Sequence, residues 1–232
     1  MRKKSQKPGQ TNPASPGAPL SQPLRILIVD DHAIVRDGLK QMLASRFPQA
    51  SFGEGCNAQE ALDRVGTEPW DVLLLDITMP GQSGLDVLRQ IKTLQPELEV
   101  LVLTRHPEDQ YALRVLKAGA SGYLTKETAS AEVANAVETV RGGGKYISAS
   151  LVQRLASNLQ APAQKAPHET LSDREYQVLR MIAAGKSVKE IAFDLSLSVK
   201  TVSTYRTRVL AKLGFKTSAE VIRYAMREKL VE

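Results

Sequence analysis

Asp71-Val72-Leu73-Leu74-Leu75-Asp76 is a short apolar run closed by a carboxylate, and Thr78-Met79-Pro80-Gly81 turns the chain before an amphipathic segment begins. Four consecutive aliphatic residues between turn signals fit a strand buried on both faces. A charge at the end of such a strand is costly unless it meets a ligand or an opposite charge. Asp76 also has company, because an earlier run, Ile26-Leu27-Ile28-Val29, ends on Asp30-Asp31. In a parallel sheet the carboxyl ends of neighbouring strands open onto one crevice. Three carboxylates there would repel one another unless a hard cation neutralised them, and oxygen-only ligation suits magnesium.

Outward from this run the pattern alternates. Strand-like runs fall at 25–30, 71–75, 98–104 and 121–124, with a weaker one at 50–56. Helical spacing fills the gaps at Val35, Leu39 and Leu43, at 58–62, at Leu85–Leu94, at 108–117 and at Val133, Val137 and Val140. Repeated βα units of this kind predict a doubly wound, flavodoxin-like α/β domain with a five-stranded parallel sheet. Gly142-Gly143-Gly144 ends it, and a short helical segment at 148–159 leads into a Pro- and Ala-rich linker at 160–167.

Beyond the linker no strand pattern remains. Ser172 with Glu175 and Ser187 with Glu190 have capping-box spacing, with Leu171 and Tyr176 placed as a staple. Ser198 caps a helix over 199–213 that Gly214 ends, and a last helix runs from about Ser218 to Lys229. The second and third of these four helices are close enough to form a helix-turn-helix. The expected division is a basic, Pro-rich disordered tail at 1–23, an α/β domain at 24–145, a linker with a short helix at 146–168, and an all-α domain at 169–232.

Charge follows the same division. The tail carries +4, residues 24–150 carry 13 basic and 17 acidic groups, and residues 151–232 carry 14 and 8. The basic C-terminal part should therefore face a polyanion. Cys56 is the only cysteine, which excludes a disulfide framework, and it reads as a small core residue of an apolar strand. No apolar run reaches membrane-spanning length, and the basic N-terminus lacks the apolar stretch of a signal peptide. A cytoplasmic protein with no membrane partner is expected.

A strand-end aspartate beside two others and a magnesium ion can accept a phosphoryl group as an acyl phosphate. Such a site also wants a cation and a hydroxyl on neighbouring strand ends, and Lys126 and Thr104 stand there. Asp30-Asp31, Asp76-Ile77-Thr78-Met79-Pro80-Gly81, Thr104 and Gly122-Tyr123-Leu124-Thr125-Lys126 together resemble the receiver domain of two-component response regulators. The resemblance implies Asp76 as phospho-acceptor. Asp31 would bind magnesium directly and Asp30 through water, with the backbone carbonyl of Thr78 as a further ligand. It also implies Lys126 pairing with the phosphoryl group, Thr104 moving to hydrogen-bond it, and Tyr123 following Thr104. The chain departs from the common receiver pattern in carrying Arg105 after Thr104, where many receivers have a small residue. Arg105 is therefore expected to change the lifetime of the acyl phosphate, by shielding it or by pairing with it. Glu127 follows Lys126 in place of proline, so no cis bond is expected there.

The segment Lys200–Arg208 puts polar and basic side chains at the N-terminal end of its helix, where unpaired N–H groups favour phosphate. Val202, Val209 and Leu213 would hold the other face on its neighbours. Leu171–Glu175, Gly185, Glu190-Ile191-Ala192, Leu195, Leu197-Ser198, Lys200-Thr201-Val202 and Lys212-Leu213-Gly214 resemble the LuxR-type helix-turn-helix. By position in that motif Ser203, Thr204 and Thr207 would face base edges. Lys200, Thr201, Arg206 and Arg208 would mostly engage phosphates.

The whole chain thus resembles a NarL/FixJ-type response regulator. A sensor histidine kinase, double-stranded promoter DNA and a second copy of the chain are the expected partners, with RNA polymerase a further candidate. It would not be an enzyme beyond its own phosphorylation and dephosphorylation. Two rivals remain. One is a metal-dependent phosphatase, disfavoured because Thr78 stands where that chemistry wants a second acid. The other is a constitutive DNA-binding protein, disfavoured by the intact acidic set.

Overall fold

The structure is a computed structural model that describes residues 23–105, 108–148, 151–153 and 166–231. The expected tail, most of the helical segment at 148–159 and nearly all of the linker fall outside the described residues.

The first part is a five-stranded parallel sheet in the order β2-β1-β3-β4-β5. Its strands are β1 (Arg25–Val29), β2 (Ser51–Gly55), β3 (Val72–Asp76), β4 (Glu99–Thr104) and β5 (Gly122–Thr125). Helices α1 (Ala33–Arg46), α2 (Ala58–Thr67), α3 (Gly84–Leu94), α4 (Glu108–Lys117) and α5 (Lys126–Arg141) alternate with them. Each strand runs parallel to its neighbours, so every connection crosses over through a helix. Side chains alternate across the strands and build two cores. Leu27, Leu73, Leu75, Val100 and Val102 meet α2, α3 and α4 on one face, while Ile26, Ile28, Leu74, Leu101 and Leu103 meet α1 and α5 on the other. Every residue of β3 is buried, which is why its sequence is continuously aliphatic rather than alternating. Strand order reverses beside β1 and β3, and this switch point sets the ligand crevice at their carboxyl ends.

One glycine fixes the crevice floor. A Cβ on Gly84, the first residue of α3, would stand 2.3 Å from Ile77 Cα, so only glycine lets α3 approach the chain leaving Asp76.

The second part holds α6 (Asp173–Ala183), α7 (Val188–Asp194), α8 (Val199–Leu213) and α9 (Ser218–Arg227), preceded by a 3-10 turn at Pro167–Thr170. Both expected capping boxes form, and Thr217 with Glu220 makes a third at the start of α9. Ser198 accepts from the Thr201 N–H, and Gly214 closes α8 in the left-handed region at φ 69°. The last helix stops at Arg227, two residues earlier than its pattern suggested.

Cys56 corrects its sequence reading. β2 ends at Gly55 and its sequence, Ser-Phe-Gly-Glu-Gly, is not apolar, so Cys56 falls past the strand and is exposed. Its Sγ donates to Glu60 Oε1 at 3.0 Å. That carboxylate raises the thiol pKa, with a smaller push from burial, which keeps the group protonated.

Candidate functional site

β1 and β3 deliver Asp30 and Asp76 to adjacent points of the crevice, and both are wholly buried. Lys126, the first residue of α5, reaches between them. Its Nζ lies 2.5 Å from Asp76 Oδ2 and 2.6 Å from Asp30 Oδ2. Thr125 sets it there by capping α5 with its side chain, so the chain passes from strand to helix without a loop. Among the described residues no peptide bond is cis. The second carboxylate oxygen of Asp76 accepts from the Thr78 N–H at 2.7 Å and the Thr78 hydroxyl at 2.5 Å. Asp76 is therefore held at both oxygens, as a preorganised nucleophile should be.

Asp30, Asp31, His32 and Asp76 bring their ligand atoms within 4.8 Å of one another. Three carboxylates against the one Lys126 ammonium leave a formal −2, the charge a divalent cation would cancel. Asp30 Oδ2 is buried and has no hydrogen-bond partner. Lys126 stands within ion-pairing distance of it but outside hydrogen-bonding geometry, so one acceptor is left for a metal or its water shell. Hard oxygen donors of this kind fit magnesium. Arg36 supports the loop by donating to the Asp30 carbonyl at 2.7 Å, while its Nε pairs with Glu54.

Thr104 is wholly buried at the end of β4, in register with Thr125 of β5, and Tyr123 is buried two residues before Thr125. The sequence reading missed His32, which follows the acid pair directly. Its Nδ1 lies 2.8 Å from Asp31 Oδ1, and its Nε2 lies 3.1 Å from Arg105 Nη2. The signal available was only adjacency, because a histidine after two aspartates does not announce what lies across the sheet.

The helical part presents α8 as a two-faced element. Val202, Val209 and Leu213 are buried, while Lys200, Ser203, Thr204, Thr207 and Arg208 are exposed. Two of the residues assigned to phosphates are partly engaged within the fold. Arg206 is half-buried and its Nε donates to Ser218 Oγ at 2.9 Å, and Thr201 Oγ1 pairs with Ser198 Oγ at 2.8 Å. Burial beside α9 therefore ties part of Arg206 to its own domain, leaving Lys200 and Arg208 as the more open cations.

A seam joins the two parts, and no spacing in the sequence points to it. Asp173, at the start of α6, is buried and accepts from Arg89 of α3 at 2.6 Å and from Arg114 of α4 at 3.2 Å. Arg114 also donates to the carbonyls of Leu171 and His168. Its guanidinium stacks on Tyr176, 4.3 Å from the ring centre, and Tyr176 meets Tyr111 of α4 edge-on at 5.4 Å. Burial pushes the Tyr111 hydroxyl up to about 12, so it stays protonated here. Tyr205 and Arg208 of α8 line the cleft beside the seam together with Lys117 and Arg174.

Comparison with known proteins agrees with this geometry. Residues 26–138 match the family described as response regulator receiver domain, and residues 169–225 match bacterial regulatory proteins, luxR family. Response regulator GacA of Pseudomonas viridiflava is 37% identical over 210 residues, covering 90% of this chain and 98% of its own. Response regulator UvrY of Escherichia coli K12 is 36% identical, covering 89% of this chain and 95% of its own. A solved structure of the Salmonella typhimurium RcsB response regulator superposes with a TM-score of 0.62 at 27% identity, covering 87% of this chain and 96% of that one. With both signature regions matched and relatives alike along nearly their whole length, the chain belongs to the two-component response regulators of the NarL/FixJ family, a receiver domain followed by a LuxR-type helix-turn-helix.

Proposed function

We propose that Asp76 accepts a phosphoryl group from a sensor histidine kinase, and that this controls how α8 engages promoter DNA. The observation that carries the reading is the pair of fully buried carboxylates, Asp30 and Asp76, gathered on one lysine at the switch point of the sheet. In the transfer an Asp76 oxygen bonds to phosphorus as the nitrogen–phosphorus bond of the donor's ring-protonated phosphohistidine breaks, leaving an acyl phosphate and a neutral imidazole. Asp30, Asp31, Asp76 and the Thr78 carbonyl would hold magnesium, which when bound offsets the charge of the phosphoryl oxygens. Lys126 supplies a positive charge already beside the acceptor, and Thr78 holds the carboxylate in place.

Thr104 and Tyr123 are the proposed relay, since both are buried, Thr104 at the end of β4 and Tyr123 within β5, on the two strands that flank α4. α4 carries Tyr111 and Arg114, half of the seam, so a shift of α4 bears directly on the helical domain. One solved RcsB structure is of a complex with DNA and another is of two RcsB dimers bound to two parallel DNAs, which supports duplex DNA as the target here and a dimer as the binding form, on paired half-sites. On α8 the Thr204 and Thr207 hydroxyls donate to the carbonyls of Lys200 and Ser203. Their outward lone pairs are then acceptors, suited to the amino groups of adenine or cytosine. The domain limits that go with this reading are 24–145 and 169–232 joined by 146–168, and the site of action is the cytoplasm. RNA polymerase is proposed as the later partner.

The test is a DNA-binding and sizing assay with and without a small phosphodonor and magnesium, with Asp76→Asn as control. The wild type should change its affinity or oligomeric state on phosphodonor, and Asp76→Asn should not. An equal response from both would remove Asp76 as the acceptor.

A further inference from the structure

The contact between His32 and Arg105 lies in a telling place. His32 follows β1 and Arg105 follows β4, and β3 lies between these strands in the sheet. Side chains from the two flanking loops can meet at 3.1 Å only by passing over the end of β3, which is Asp76. The bridge therefore roofs the acceptor carboxylate.

Its polarity follows from the chemistry of the two groups. A guanidinium only donates, so His32 Nε2 accepts from Arg105, and the ring proton sits on Nδ1, facing the acids. Nδ1 lies 2.8 Å from Asp31 Oδ1 and 3.2 Å from Asp30 Oδ1. The imidazole thus works as a spacer that ties the guanidinium to the acid pair. Among the described residues Arg105 has no carboxylate partner, and its charge stands beside His32 at the mouth of the pocket. An incoming phosphoryl group, carrying negative oxygens up from Asp76, would meet that charge.

We propose that Arg105 contacts the phosphoryl oxygens on Asp76 and screens them from water, and that His32 is the positioning residue that holds it there. This rests on Asp76 being the acceptor. In hydrolysis a water oxygen bonds to phosphorus while the bond from phosphorus to the Asp76 oxygen breaks. Orthophosphate leaves with both of the water's protons, and the Asp76 carboxylate is restored. A guanidinium over the mouth obstructs the water and so lengthens the life of the acyl phosphate. The bridge opens easily for a phosphodonor, because it is one hydrogen bond between two exposed side chains.

The experiment measures the acyl-phosphate half-life, after loading with a small phosphodonor and magnesium, and the affinity for beryllofluoride as a phosphoryl mimic. Arg105→Ala should shorten the half-life and weaken beryllofluoride each by about threefold, the size expected of one partly exposed charge contact. His32→Ala should do the same, and it should fold, since the His32 side chain makes no cap bond to α1. His32→Gln should retain most of the wild-type lifetime, because its amide can donate to Asp31 and accept from Arg105. The double variant should be no worse than Arg105→Ala alone, the signature of two residues acting through one contact. Equal or longer half-lives in Arg105→Ala, additive losses in the double variant, or His32→Gln as short-lived as His32→Ala would each overturn the bridge. A wild type that takes up no phosphoryl group would instead overturn the acceptor reading itself.

Discussion

The receiver pocket and the reading helix α8 handle polar groups in opposite ways. In the pocket Asp30 and Asp76 are wholly buried, crowded on a single lysine, and one Asp30 oxygen has no hydrogen bond. On α8 Ser203, Thr204 and Thr207 lie in solvent, and the Thr204 and Thr207 hydroxyls are already bonded to the helix's own backbone. The first is an electrostatically unfinished site whose energy changes when a cation or a phosphoryl group arrives. The second is a satisfied platform that responds only by being moved. Control must therefore pass through whatever mechanically joins them, and the seam at Asp173 is the join this structure shows.

The largest expected effect lies in the unfinished site. Asp30→Ala should sharply weaken magnesium binding, read by titration calorimetry, and with it phosphoryl uptake, because it removes the fully buried carboxylate proposed to hold the ion through water. It should leave DNA binding by the unphosphorylated protein unchanged. A variant that still binds magnesium normally would erase the contrast between the two regions.

Next in size is the seam. Asp173→Ala strips the counter-charge from Arg114 and Arg89, and breaking a buried pair costs about 3 kcal/mol. Half-exposed Arg89 contributes the smaller share. The two domains should separate, widening the interdomain distances seen by small-angle scattering, while each keeps its own helices. An unchanged scattering profile would show that the Tyr111–Tyr176 contact holds the seam without the charges.

The helices that carry this platform should fail with acid. Burial pulls the Glu175 carboxyl up, but hydrogen bonds from Lys212 and Ser172 outweigh it and hold the group below the ordinary carboxylate range. Glu190 and Glu220, in the other two capping boxes, are lowered by bonds from Ser187, and from Lys216 and Thr217. A lowered folded-state value means stability that is full above the unfolded value near 4.5 and is lost as pH falls through the folded one. Helicity of α6, α7 and α9 should therefore decline below about pH 4.5. Lys212→Ala should move that loss to higher pH and cost about 1 kcal/mol at neutral pH, measured by urea unfolding.

What the sequence disclosed follows the same division. The sheet was readable because burial on both faces forces β3 to be Val-Leu-Leu-Leu, and the strand-end acids were readable because nothing else explains a charge there. Capping boxes at Ser172 and Ser187 were readable because their partners lie three residues away. The seam was not, since Asp173 pairs with residues 84 and 59 positions distant, and sequence spacing carries no trace of such contacts. Cys56 was misplaced for a related reason: one position beyond a strand end changes a core residue into an exposed one. Arg105 stood out in the sequence and His32 did not, and only the strand order put them together.

The smallest effects test whether α8 is as rigid as its hydrogen bonds suggest. Lys200→Ala should weaken binding to every duplex alike and reduce the slope of log affinity against log salt by about 0.9, one phosphate contact. Thr204→Ala should leave that slope untouched. The Thr204 hydroxyl donates to the Lys200 carbonyl, so what it offers outward is an acceptor. Losing it should cost about 1 kcal/mol at one adenine or cytosine and nothing elsewhere. Thr204→Ser, which keeps both the donor and the acceptor, should restore the preference. If Thr204→Ala instead relaxed selection at a guanine or thymine, whose major-groove groups are acceptors, the hydroxyl would have to turn away from Lys200 on binding, and α8 would be a platform that rearranges rather than one that is moved.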